Sequence, residues 1–324
     1  MSQRRIILLI GALLGALFLH LAMHSLDWGA LSTKLAHVHW PYAIPILLAV
    51  LIYFAVKASR RRFLIRPLAT ASTRQLLPPV VAGIAGNYVF PHVGEIARTV
   101  LAGKHLHLPV AALLATMVIE RVFDFLSLLL IGIVIMVQAG RMAPDIRTAA
   151  WAVGILCAAL FTAVVVFLAY HEPCLRMVER LLAPASKHFR VRVLRQLRAA
   201  SAGFSAIAKP RLLIPVFLLS LLQWLLILAC VELSLHAVGV AVTLAAAISV
   251  LLLNVIDLTL PAAPGHVGTV QLAFTVALAP FGVSQPVAIA ASLVYNFLTV
   301  VPALILGVSG LRRAGMLLHR HLLR

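Results

Sequence analysis

Charged residues are scarce in this sequence, and acidic residues are the scarcest of them. Charged side chains make up 11% of the 324 residues, with nine Asp and Glu against 27 Lys and Arg. Soluble proteins carry roughly 25% charged and about 45 to 50% apolar residues. With 63% hydrophobic residues and a mean hydropathy of +1.06, the chain has more apolar surface than a soluble core can bury. The composition therefore predicts a polytopic membrane protein rather than a soluble domain.

Several common chemical signatures are missing from the sequence. Its three cysteines, Cys157, Cys174 and Cys230, are far apart and suggest neither a disulfide framework nor a metal knuckle. There is no Walker A motif for direct ATP use, and no acidic D-D-x-x-D cluster to hold Mg²⁺ and a diphosphate. Three H-x-H pairs lie at the edges of apolar runs without a third ligand nearby. We therefore expect no cofactor and no metal site.

A net charge of +18 would suggest nucleic acid as the partner of a soluble chain. Here the basic residues flank apolar runs, where they set topology and attract anionic lipid. If the N-terminus is inside, 23 of the 27 Lys and Arg fall on the cytoplasmic side, and Arg121 falls within a span. The opposite side receives three: Lys34, Arg141 and Arg147. This bias predicts that both termini are cytoplasmic, and we expect membrane lipids rather than nucleic acid as partners.

Six apolar runs are long enough to cross about 30 Å of hydrocarbon at 1.5 Å per residue. Arg4 and Arg5 precede the first run as in a signal peptide, but the run is long and no cleavage site follows, so we expect a retained helix. The predicted spans are residues 6–24, 41–58, 110–137, 148–170, 212–235 and 286–309.

A basic stretch separates the two halves of what we expect to be a single domain, 1–140 and 141–324. Residues 172–211 contain nine Lys or Arg among regularly placed apolar residues. This pattern is typical of amphipathic helices that lie on the membrane surface and contact anionic lipid. A plain solvated connector is the alternative.

Two further apolar regions, residues 77–107 and 241–283, are interrupted in the middle by proline and glycine. Both interruptions contain the tripeptide His-Val-Gly, although chance identity is possible in so apolar a chain. Three spans separate them, so the second region would enter from the opposite face, as in an inverted repeat whose discontinuous helices meet near the midplane. Proline frees carbonyls, and glycine permits left-handed turns or close backbone approach. The predicted hinge residues are Pro91, Gly94, Pro261, Pro264, Gly265 and Gly268.

Between residues 86 and 124, five acidic and arginine side chains lie in mostly apolar sequence. Each such charge at a helix centre costs roughly 2.5 to 3.5 kcal/mol, so they must pair or face water or a polar ligand. Helical spacing of three predicts ion pairs within the helix. A closed ion-pair network that only fixes helix packing is one interpretation, and a binding site in a wet cavity is the other. The five residues are Glu95, Arg98, Glu120, Arg121 and Asp124.

The charges of this group suggest what it could bind. Three carboxylates against two guanidiniums leave −1, which favours a zwitterionic or aminoacylated headgroup, or a proton taken up by one carboxylate. Transport would then depend on pH. We expect Arg98 and Arg121 to contact phosphate, and Asn254 and Asp257 to bring polar groups from the second half.

Three ordered motifs resemble the flippase-like transmembrane domain of lysylphosphatidylglycerol synthases. They are G-E-x-x-R from Gly94, E-R-x-x-D from Glu120 and P-x-x-P-G-x-x-G from Pro261. The resemblance covers nearly the whole chain and implies an all-α membrane fold with about six full spans and two broken or re-entrant helical hairpins. That family usually has Glu where this chain has Gln271 and Arg where it has Asn296. Because both charges are replaced by amides, which can form a neutral hydrogen-bonded pair, we expect Gln271 and Asn296 to be in contact.

The resemblance implies a lipid flippase-like transporter without the soluble synthase domain, and not an enzyme. It would move a phospholipid, aminoacyl-lipid or isoprenoid-linked headgroup through a midplane polar cleft in the bacterial cytoplasmic (inner) membrane. Two alternatives are a non-transporting scaffold, which would have a lipid-modifying enzyme as its partner, and a membrane-embedded lipid transferase. The sequence leaves the oligomeric state open.

Overall fold

A computed structural model describes five stretches of the chain and several single positions between 155 and 191. The stretches are residues 16–24, 26–89, 93–138, 210–257 and 264–322. All regular structure within them is helical, which confirms the predicted all-α polytopic fold. The predicted span 148–170, the basic stretch 172–211 and the hinge residues Pro91 and Pro261 lie wholly or largely outside them. The helices are α1 (16–23), α2 (Trp28–Ala36), α3 (Ala43–Ile65), α4 (Thr73–Val89), α5 (Val93–Leu106), α6 (Val110–Gln138), α7 (Pro210–Ala237), α8 (Leu244–Asp257), α9 (Thr269–Leu278) and α10 (Gln285–Leu322).

Three of the described helical segments are long and apolar enough to cross a membrane: Trp40–Ile65, Arg211–Ala237 and Gln285–Leu311. They coincide with predicted spans. The first, however, continues past its predicted end at residue 58, because Arg60, Arg61 and Arg62 extend α3 instead of starting a loop. Arginine is a good helix former, and no proline or glycine occurs in this part of α3 to end it. The interpretation of these three residues as loop residues was therefore wrong.

Short helices flank both predicted interruptions. α4 and α5 have 17 and 14 residues and pack against each other, as do α8 and α9 with 14 and 10 residues. At 1.5 Å per residue, α9 is about 15 Å long and α5 about 21 Å, too short to cross roughly 30 Å of hydrocarbon. The predicted broken hairpins are thus confirmed. Their inverted relation depends on segments outside the described residues and stays a prediction.

The described parts of the two interruptions, residues 93–94 and 264–268, have different backbone conformations. Gly94 is helical and lies against α4, where a Cβ would collide with the carbonyl oxygen of Gly83 and with Asn87. In the second interruption Gly265 (φ +73°) and Gly268 (φ +93°) are left-handed, a region that favours glycine. The prediction of close approach or left-handed turns is confirmed. The close approach occurs at Gly94, and the left-handed turns occur at Gly265 and Gly268.

One apolar core joins α3 to the helices that pack against it. α3 packs most extensively on α7, and α10 on α4. α6 contacts α3, α5 and α7, so its charged residues face the centre of this group. The candidate site lies where these helices converge.

Candidate functional site

Seven of the described charged side chains meet between α3, α5 and α6. The five predicted residues are all present, and the predicted pairs Glu95–Arg98 (3.8 Å) and Arg121–Asp124 (3.5 Å) form. α3 adds two guanidiniums that the sequence interpretation had placed in a loop. The charged cluster consists of Arg60, Arg61, Glu95, Arg98, Glu120, Arg121 and Asp124.

Glu120 lies at the buried centre of the charged cluster and is 1% exposed. Its Oε2 accepts a hydrogen bond from Arg98 at 2.7 Å and lies 3.5 Å from Arg60, and its Oε1 accepts one from Arg61 at 3.3 Å. One carboxylate thus joins guanidiniums from α3 and α5 to α6. Removing one member of such a buried network leaves the other charges without a partner and lowers the stability by about 3 to 5 kcal/mol. For Glu120, the interpretation as part of an ion-pair network that fixes helix packing therefore applies.

Arg60 and Arg61 make further buried contacts. Arg60 forms an ion pair with Asp124 and donates a hydrogen bond to Ser220 Oγ of α7 at 2.9 Å. Arg61 donates to Thr99 Oγ1 of α5 at 3.3 Å. The sequence signal that could have identified them is the lack of a helix-breaking residue after the apolar run.

The other face of the charged cluster borders a cavity of about 590 Å³, the large cavity. Arg121, Glu95 and Asp124 line it, together with Lys57 and Tyr53 of α3. Arg121 is bonded to Glu95, yet 39% of its side chain remains exposed. Ligand pockets typically occupy 300 to 1,000 Å³, and one water needs about 10 to 15 Å³. The large cavity can therefore hold water or a lipid headgroup.

Lys57 lies near the end of the predicted span 41–58, and the sequence interpretation counted its charge on the cytoplasmic side. It is 9% exposed and donates a hydrogen bond from Nζ to the Tyr53 hydroxyl at 3.1 Å. Among the described residues no carboxylate lies within ion-pair distance of it. Lys57 therefore offers the large cavity an amine whose positive charge, when it is protonated, is not balanced by a described carboxylate.

Arg98 occupies a different position from the one predicted. It is 2% exposed, bonded to Glu120 and not among the residues that line the large cavity. It forms ion pairs with Glu95 and Glu120, whereas Arg121 lines the cavity itself.

The charge count from the sequence, −1, covered five residues and did not include α3. Among the described residues, five cations, Lys57, Arg60, Arg61, Arg98 and Arg121, face three carboxylates, which leaves +2 when all are ionised. The preference for a zwitterionic headgroup or a bound proton no longer follows. An excess positive charge in a low-dielectric setting favours an anion.

A second, smaller cavity of about 130 Å³ adjoins the large one. Asn254 lines it and is 8% exposed, and neither amide atom of this side chain has a hydrogen-bond partner among the residues that the structure describes. The indole Nε1 of Trp224, which lines both cavities, is also unpartnered. Each such buried group costs about 1 to 3 kcal/mol unless a guest or water satisfies it. The small cavity is therefore also a place for a polar group.

The predicted residues of the second half separate into different roles. Asn254 and Asn296 line the small cavity. Gln271 instead accepts a hydrogen bond at 2.7 Å from the backbone N–H of Gly268 and so caps α9. Position N3 of a helix lets an amide reach back to its own N-cap in this way. No hydrogen bond joins Gln271 to Asn296 within the described stretches, and their contact stays a prediction. Asp257 ends α8, and its side chain, like that of Pro264, is not described.

Comparison with known proteins identifies a family. A search of curated proteins finds no match to this chain. The family model described as "Lysylphosphatidylglycerol synthase TM region" matches residues 8–307, which include all three motifs and both cavities. The suspected resemblance is confirmed, and this multi-pass membrane protein belongs to the lysylphosphatidylglycerol synthase transmembrane-region family.

Proposed function

We propose that this protein is a flippase-like transporter that carries a lipid with an anionic phosphate headgroup across the bilayer. The observation that supports the proposal is the position of Lys57 and Arg121 on the wall of the large cavity, within a group of charges that sums to +2. Phospholipids and isoprenoid-linked lipids both carry the required phosphate. An aminoacylated lipid brings an added cation and fits less well.

The two cations suit phosphate for different reasons. A buried charge without a counter-charge is costly, so an anionic guest would stabilise Lys57. Arg121 presents a planar guanidinium that can bond phosphate oxygens in a bidentate way. Its partners Glu95 and Asp124 hold it at the cavity and would be displaced in part when phosphate binds.

The depth of the site favours passage rather than surface binding. Arg121 lies twelve residues into the 29-residue α6, about 18 Å along a helix of roughly 43 Å. A headgroup there would be shielded from hydrocarbon while its acyl chains stay in the bilayer. Large apolar side chains such as Ile44, Ile214 and Ile305 are exposed on the outer surface, as bilayer contact requires.

The proposed location is the bacterial cytoplasmic membrane, with both termini inside. Lys57, Arg60, Arg61 and Arg98 belong to the site and do not count as loop charges. Removing these four of the 23 cytoplasmic Lys and Arg leaves 19 against three. The corrected bias still supports this orientation.

A liposome assay tests the proposal. The full chain is reconstituted with trace fluorescent phosphatidic acid or fluorescent phosphatidylcholine, and an impermeant reductant reports movement between leaflets. We expect faster movement of the anionic lipid, and a rate at least about tenfold lower for Arg121→Gln. Arg62→Gln is the matched control, because Arg62 is exposed on α3 outside the charged cluster. Equal rates for protein-free liposomes and wild type, or for wild type and Arg121→Gln, would contradict the proposal.

A further inference from the structure

The small cavity differs in chemistry from the large one. Of the described residues that line it, none is Asp, Glu, Lys or Arg. Its polar groups are instead the amides of Asn254 and Asn296, the indole of Trp224, the imidazole of His266 and hydroxyls such as that of Thr299, set among aromatic and aliphatic side chains. Such a lining is typical of sites for uncharged polar groups.

The two cavities adjoin and have several lining residues in common, which suits a single guest that extends from one into the other. Tyr53 lines both cavities, and its hydroxyl accepts the hydrogen bond from Lys57. A phosphate held by Lys57 and Arg121 would therefore place its substituent towards the small cavity. At about 130 Å³ this space exceeds the roughly 10 to 15 Å³ that one water needs, and it admits a group of several heavy atoms.

Asn254 indicates which substituent fits. Its carbonyl oxygen and its NH₂ group are both unpartnered, so it offers an acceptor and a donor together. A hydroxyl uses both, since it donates and accepts. An ammonium only donates, and it would need a carboxylate that the described lining does not provide. Rotation of an amide about its terminal torsion has broad minima, so these atoms can turn towards a guest.

We infer that the paired cavities select an anionic lipid whose phosphate carries an uncharged polyhydroxyl group, either glycerol or a sugar alcohol ring. Asn254 is the specificity-determining residue for that group, while Lys57 and Arg121 hold the phosphate. This inference rests on the proposed function, since it assigns the headgroup of the same site. It also excludes an aminoacylated headgroup from the small cavity.

Lipid binding to the purified full chain in detergent tests the inference by native mass spectrometry. The four probes are phosphatidic acid, phosphatidylglycerol, phosphatidylinositol and phosphatidylethanolamine. We expect one polyol lipid to bind at least about fivefold more tightly than phosphatidic acid or phosphatidylethanolamine. Tighter binding of phosphatidylglycerol would identify glycerol as the preferred group, and tighter binding of phosphatidylinositol would identify the sugar alcohol ring. Asn254→Leu should abolish this preference and leave phosphatidic acid binding unchanged.

Equal wild-type affinity for phosphatidic acid and both polyol lipids would overturn the inference, as would a preference that persists in Asn254→Leu. Ser249→Ala, on α8 but outside both cavity linings, is the control and should retain the preference. If thermal unfolding shows that Asn254→Leu is misfolded, Asn254→Asp replaces it and should shift preference towards the ammonium lipid. Unselective binding with intact transport overturns this inference alone, whereas selective binding without transport overturns the proposed transport alone.

Discussion

Arg60 on α3 and Asp124 on α6 form a buried ion pair across 64 positions of the sequence. Ser220 of α7 shares the same guanidinium, so the contact ties three helices together. Asp124 also pairs with Arg121 three residues before it, at 3.5 Å. One carboxylate thus connects the buried half of the charged cluster to the half that borders the large cavity.

Glu120→Gln should destabilise the protein by about 3 to 5 kcal/mol, because three buried guanidiniums would lose their common counter-charge. Thermal unfolding in detergent, followed by intrinsic fluorescence, measures the change. Glu232→Gln on α7 is the control, since Glu232 belongs to none of the ion pairs between described residues. An unchanged melting temperature for Glu120→Gln would show that Glu120 is not a packing centre.

Gly94→Ala should separate α5 from α4. The added methyl would collide with the backbone oxygen of Gly83 and with Asn87, at a cost of at least about 1 to 3 kcal/mol. Gly132→Ala on α6 is the same change where no heavy atom lies within 4 Å, so stability there should be unchanged or rise by up to about 1 kcal/mol. The two melting temperatures are compared directly, and equal values would mean that the helices are not in close contact at Gly94.

Arg98→Gln and Arg121→Gln should affect different properties. Arg98 is buried against Glu120, so its loss should lower the melting temperature. Arg121 reaches the large cavity, so its loss should mainly weaken lipid binding and leave stability closer to wild type. Melting curves and lipid titrations on both variants separate the roles. A larger stability loss for Arg121→Gln than for Arg98→Gln would reverse the assignment.

Lys57→Met should be tolerated structurally. Methionine has a similar length without the charge, and no described carboxylate is left unpaired by the change. Binding of phosphatidic acid should fall at least about tenfold, whereas Lys57→Arg should retain most of it. Wild-type affinity in Lys57→Met would exclude Lys57 from the phosphate site.

The helical class, the two interruptions and five members of the charged cluster could be predicted from the sequence. All three follow from the free-energy cost of placing charges or unbonded backbone groups in hydrocarbon. A charge in an apolar run needs a partner, and proline and glycine mark where helices stop. The sequence interpretation failed at Arg60, Arg61 and Lys57, since a basic residue at the end of a span is equally compatible with a loop and with burial. It also did not indicate that Gln271 caps its own helix, because an amide at position N3 finds its partner within the same turn.

The central claim is that Lys57 and Arg121 hold the phosphate of an anionic lipid in the large cavity. Native mass spectrometry of the protein purified from the membrane with its bound lipid tests it most directly. Wild type should retain an anionic phospholipid, and the double variant Lys57→Met/Arg121→Gln should lose it while remaining folded. Recovery of wild type without anionic lipid, or of the double variant with as much as wild type, would contradict the account.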